Sequence, residues 1–73
     1  MKKTLYSREH KHLVKKLKEA RIQSGLDQVK VAKMLGSAQS HISKVEAGQR
    51  KIDIVQLKEF AKIYKKDISY FLK

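Results

Sequence analysis

Gln39, Ser40, Ser43 and Lys44 lie within one short stretch of the chain, with His41 between them and Gln28 a little upstream. Side chains of these types recognise polar edges by hydrogen bonding. An amide offers a donor beside an acceptor, a hydroxyl rotates to serve as either, and an ammonium only donates. Other chemistry finds fewer parts. His10 and His12 make a His-x-His, but residues two apart on a helix point about 200° apart, and no Cys or carboxylate completes a metal site. Glu19, Glu46 and Glu59 show no paired-carboxylate spacing, and Ser37, Ser40 and Ser43 have no base and orienting acid set around them. No catalytic residue, metal or cofactor is therefore expected, and no small-molecule ligand is evident.

The chain that carries these groups has 73 residues, with 18 Lys and Arg against 7 Asp and Glu, a formal charge of +11. A chain of this mass buries only about 60% of its unfolded surface, enough for one domain but leaving little room for an enzyme cleft. It has no Cys, so disulfides and thiolate metal sites are impossible, which fits a reducing compartment. No apolar run nears the ~18 residues that span a bilayer, and Met1-Lys2-Lys3 leads into Thr4 to Glu9 rather than a hydrophobic signal segment. A soluble, unexported, cytoplasmic protein is expected. At 41% hydrophobic and 34% charged residues the chain should fold and hold its surplus charge on the surface, facing an anion. Phosphate backbones are the commonest such partner, because neutralising them releases condensed counterions; anionic membranes compete.

Apolar residues recur with helical period throughout. From His10 to Ser24, the residues Leu13, Val14, Leu17 and Ala20, with Arg21, form one stripe, and Gly25 is placed to end the helix in a left-handed turn. Asp27 is an N-cap for a second helix, whose apolar side is Val31, Ala32, Met34 and Leu35 and which Gly36 stops. Lys30 stands where a capping box has Glu or Gln. Ser37 or Ala38 opens a third helix, Gln39 to Ala47, in which only Ile42 and Val45 are clearly apolar. Gly48 closes it into a short basic loop, Gly48-Gln49-Arg50-Lys51. Asp53 caps a fourth helix with the stripe Ile54, Leu57, Phe60, Ala61 and Tyr64, and Asp67 caps a last one, Ile68 to Leu72. Residues 1–8 read as a basic flexible arm, leaving residues 9–73 as a single all-α domain.

Two short helices joined by Gly36-Ser37-Ala38, the second polar on its outer side, have the layout of a helix-turn-helix. The short connection makes the third helix cross the second steeply and leaves one side of it uncovered. An α-helix fits the major groove of B-DNA, where residues at its N-terminal end meet base edges; Gln39 and Ser40 occupy that end. The chain resembles the Cro and phage-repressor (XRE-type) helix-turn-helix domains in Leu17-x-x-Ala20-Arg21-x-x-x-Gly25-Leu26-Asp27-Gln28 and Val31-Ala32-x-x-Leu35-Gly36. The resemblance continues through Gln39-Ser40-x-Ile42-Ser43-x-Val45-Glu46-x-Gly48 and Leu57-x-x-Phe60-Ala61. It covers roughly residues 13–72 and implies a compact five-helix, lambda-repressor-like DNA-binding domain whose second and third helices are the helix-turn-helix.

The resemblance also implies roles by position. Gln28 would touch phosphate and brace Gln39, which would then present its amide to adenine N6 and N7. Ser40 and Lys44 fall at the other base-reading positions, with His41 and Ser43 flanking them; Lys44 suits guanine O6 and N7, or a phosphate. Ser37, Arg50 and Lys51 fall among the phosphate contacts, which hold the duplex without reading its sequence. Arg21 and Glu46 fall at the positions of a buried structural ion pair. Ser37-Ala38 departs from the family's apolar residue followed by Ser or Thr, so the cap of the third helix has either moved to Ser37 or been lost. Asp27 replaces the more usual Ser or Thr.

These readings combine into an expected transcriptional regulator, a repressor that binds a palindromic operator on double-stranded DNA as a homodimer in a bacterial or phage-type cytoplasm. Ile68, Tyr70, Phe71 and Leu72 crowd more apolar and aromatic surface than a short cap needs and are expected at the two-fold contact. An antitoxin or a restriction-modification controller would show the same residues. The alternative from another class is a basic helical module for RNA or an anionic membrane. Residues 1–36 hold 10 basic and 3 acidic side chains, a net of +7, and residues 37–73 hold 8 and 4, a net of +4. The stretch Gln39 to Ala47 holds only Lys44 and Glu46, so the large charge and the polar reading groups are separate features.

Overall fold

The computed structural model describes residues 7–73. It contains five helices, α1 Arg8–Gln23, α2 Gln28–Leu35, α3 Gln39–Glu46, α4 Ile54–Tyr64 and α5 Ile68–Leu72. Local partners set where most of them start. The Ser7 hydroxyl accepts the His10 N–H at 3.0 Å, so α1 begins ahead of the His10 start expected from the apolar pattern. Of the arm expected over residues 1–8, residues 1–6 lie outside the described residues, while Ser7 and Arg8 form the cap and first turn of α1. Asp27 caps α2 by accepting the Lys30 N–H at 2.8 Å. Asp53 and Gln56 cap α4 reciprocally, the carboxylate taking the Gln56 N–H at 2.8 Å and the amide oxygen taking the Asp53 N–H at 3.3 Å.

Two starts differ from expectation. Asp67 stands at the N-cap of α5, but its carboxylate accepts the Ser69 hydroxyl at 2.7 Å and no backbone N–H, because a rotatable hydroxyl nearby competes for it. At α3 the side-chain cap is lost rather than moved: Ala38 holds the N-cap position in extended backbone and offers no acceptor.

The first four helices end in a shared pattern. After α1, the Leu26 N–H reaches the Arg21 carbonyl at 3.2 Å and the Gly25 N–H reaches that of Ile22 at 3.0 Å. The same pair of bonds recurs after α2, α3 and α4, satisfying carbonyls that a helix end otherwise orphans. The residue that turns the corner must take a positive φ. Gly36 does so at φ 68°, and a Cβ there would meet nothing within 4 Å, so the backbone conformation rather than space calls for glycine. Lys65 turns the fourth corner at φ 56°, the one non-glycine residue with positive φ among the described residues.

These ends let the helices fold back on one core. Leu17 and Ala20 of α1, Val31 of α2, Ile42 and Val45 of α3, Leu57, Phe60 and Tyr64 of α4, and Phe71 of α5 are buried in a single cluster. Helix α3 packs on α2 and on α1, whereas α5 packs on α1 and α4. The residues expected at the two-fold contact differ in their exposure. Phe71 is 1% exposed and belongs to the core, because so short a chain needs an aromatic lid over α1 and α4. Ile68 and Tyr70 pack partly buried against that core. The Tyr70 ring meets Phe71 edge-on at 5.1 Å and carries the ammoniums of Lys16 and Lys66 at 4.8 and 4.6 Å. Only Leu72 of the four stays exposed. Among the described residues no helix is long and apolar enough to cross a membrane.

A left-handed conformation costs a residue with a side chain roughly 1–2 kcal/mol, partly offset in glycine by the greater freedom of its unfolded chain. Lys65→Gly is therefore expected to stabilise the domain by about 0.5–1 kcal/mol, read as a rise of about 3–6 °C in melting temperature. An unchanged or lowered value would show that α4 ends without strain.

Candidate functional site

Steps of one, three and one residue along α3 bring Gln39, Ser40, Ser43 and Lys44 to one side, and all four are exposed. Ile42 and Val45, on the other side, are buried. His41 does not join the exposed row. At about 100° per residue it falls next to Val45, and it sits half-buried in a cleft with Leu35, Ser37, Gln56, Glu59 and Phe60. Ser37 lies half-buried beside it. Arg50 and Lys51 are exposed in the loop after α3.

Behind the exposed row runs a chain of polar contacts that ties three helices together. Arg21 of α1 donates from Nε to Oε2 of Glu46 at 2.7 Å and from Nη2 to Oε1 at 3.2 Å, a two-point contact at the end of α3. Its remaining nitrogen, Nη1, donates to the Leu26 carbonyl at 3.0 Å. The Arg21 and Glu46 side chains are 13% and 5% exposed. The hydrogen bond to Glu46 holds the guanidinium above its ordinary pKa although burial works against it. Gln28, the first residue of α2, adds a third contact to the same carboxylate, Nε2 to Oε1 at 3.1 Å. Gln39, the first residue of α3, then donates from Nε2 to Oε1 of Gln28 at 2.9 Å.

The direction of this chain is imposed from its buried end. An ionised carboxylate only accepts, so Gln28 must turn its NH₂ toward Glu46 and its oxygen toward Gln39. Gln39 must in turn give an N–H to Gln28. What it has left is one N–H and its carbonyl oxygen, side by side on an exposed surface. The structure thus brings together Gln28 with Gln39 and Arg21 with Glu46, and joins the two pairs through Glu46. That junction was missed by sequence reasoning, which assigned Glu46 to Arg21 alone; nothing local in Gln28 marks a partner on another helix.

Tyr64 lies against the same network. Burial pushes its phenol well up in pKa, the charge of Glu46 adds to the shift and that of Arg21 opposes it. Its hydroxyl has no hydrogen-bond partner among the described residues. The ring is held by stacking on Phe60 at 5.9 Å between centroids, so the residue serves as core packing and stays neutral.

Comparison with known families adds one finding. The family model described as Helix-turn-helix matches residues 17–71, a span that contains α2, α3, α4 and the connections between them. No curated protein matches the chain.

Removing one partner of a buried ion pair leaves the other uncompensated, at a cost of about 3–5 kcal/mol. Arg21→Met is expected to destabilise the domain by that amount in urea or thermal unfolding, with Glu46 left only the Gln28 amide. An unfolding midpoint equal to that of the parent would mean that the pair adds nothing to stability.

Proposed function

Because the chain belongs to the helix-turn-helix family of the Cro and phage-repressor (XRE) type, a DNA-binding regulatory domain, we propose that it is a repressor that binds a palindromic operator as a homodimer. In this reading α3 lies in the major groove. The observation that carries it is the Gln39 to Gln28 hydrogen bond at 2.9 Å, which leaves Gln39 with one donor and one acceptor. Adenine presents the complementary pair in the major groove, an N6 donor beside the N7 acceptor. An amide already held in place loses less side-chain freedom on docking than a free one.

The rest of the surface divides by chemistry. Lys44 donates to guanine O6 and N7, and Ser40 and Ser43 supply hydroxyls along the same row. Gln28 keeps its second N–H for a phosphate oxygen. Ser37, Arg50 and Lys51 grip the sugar-phosphate chain, and the Gln39 and Ser40 N–H groups that open α3, left by Ala38 without a side-chain cap, are open to a phosphate in the same region. His41 takes no base. The domain proper, residues 9–73 with the Ser7 cap, acts in the cytoplasm, and Leu72 is the member of the α5 set that remains available to a second copy.

Selection of binding sites from random duplex DNA tests the proposal. A palindrome with half-sites about 10–10.5 bp apart, centre to centre, is expected. Absence of any enriched sequence would instead favour a module that binds polyanions by charge. Two substitutions separate the roles. Gln39→Ala should relax preference at one base pair of each half-site, a loss of about 1–3 kcal/mol of discrimination. Arg50→Ala should weaken all sequences alike and lower the salt slope by about one unit. The same behaviour in both variants would refute the division between reading and gripping residues.

A further inference from the structure

We propose that Lys11 and Lys15 of α1 form a phosphate-binding site on DNA beyond the C-terminal end of α3, an inference that rests on the DNA-binding reading above. The outward row of α3 runs from Gln39 to the exposed Ala47. There it opens into a cleft in which Glu46, Ala47 and Gly48 face His10, Lys11, Val14 and Lys15 of α1; the Glu46 carboxylate is already held by Arg21, which leaves the two lysines as the uncompensated charges. Helix α1 packs directly against α3, so these two ammoniums flank the reading surface from a rigid element rather than from a loop. Both lysines are exposed, and neither has an ion-pair partner among the described residues.

Their placement works against the helix that carries them. Lys11 lies near the N-terminal end of α1, where the helix dipole disfavours a cation. Lys15 follows it by four residues, the spacing at which like charges repel, and Glu19, four residues further on, makes no ion pair with it. An anion held between them relieves both penalties. A duplex whose major groove holds α3 presents phosphates past the end of that helix, and the cleft is where α1 can meet one. The other end of the surface is served differently, by the Gln28 amide and the uncapped start of α3.

The test uses a fluorescently labelled duplex of mixed sequence, roughly 20 base pairs long to span two turns, and follows affinity against salt for the full chain. Lys11→Gln and Lys15→Gln are each expected to lower the salt slope by about 0.9, and the double variant by about twice that. Their melting temperatures should equal or exceed that of the parent, because a misplaced charge has been removed. The paired control is Lys62→Gln with Lys73→Gln, exposed positions near the end of α4 and just after α5 that line neither cleft beside α3, and it should leave the slope unchanged. Binding by the parent with the same slope in the double variant would overturn the proposal and leave the DNA reading intact. An equal fall in the control pair would also overturn it, since charge anywhere would then suffice. A parent that shows no salt-dependent duplex binding would overturn both.

Discussion

The contact between Arg21 and Glu46 is the constraint on which the rest of the structure depends. A guanidinium and a carboxylate sheltered from water must satisfy every donor and acceptor they carry, or the desolvation is uncompensated. Here a third donor of Arg21 goes to the Leu26 carbonyl, beside the turn that ends α1, and further accepting capacity of Glu46 goes to Gln28 at the start of α2. The pair therefore ties the end of α1, the start of α2 and the end of α3 to one another. Because the carboxylate cannot donate, it also sets the sense of each amide beyond it. A charge in the interior thereby decides which atoms face outward at Gln39.

The charge of the whole chain acts at another scale. The formal +11 is spread along the chain, while the exposed row of α3 contributes a single ammonium. Long-range attraction to a polyanion falls off with the Debye length and is indifferent to sequence. Short hydrogen bonds from amides and hydroxyls work only at contact. Separating the two lets the same domain approach any duplex quickly and yet discriminate once it has docked.

Much of the architecture was legible in the residues. The periodic stripes of Leu17 and Ala20, and of Leu57, Phe60 and Tyr64, gave two helices their buried faces, and Gly25, Gly36 and Gly48 marked three turns. What escaped had physical reasons. Lys65 takes the left-handed corner without any compositional sign, because the closing bonds to Ala61 and Lys62 override its side-chain preference. Phe71 looked like spare surface because its partners lie on helices far away in sequence. His41 seemed part of a polar row until helical rotation set it beside Val45. In the candidate site, the individual positions could be named from spacing, but the shared use of Glu46 could not, since it exists only once three helices have closed around it.

The row on α3 is thus of two kinds. Ser40, Ser43 and Lys44 make no side-chain hydrogen bond to any other described residue, whereas Gln39 is tied through Gln28 to the interior. Over evolutionary drift the first three can be exchanged almost freely without disturbing the fold, and a lineage can retarget itself through them in single steps. Gln39 is coupled to its neighbours, so a change there also removes the partner of the Gln28 carbonyl oxygen. One helix then carries both an address that can change without touching the fold and an anchor coupled to the interior.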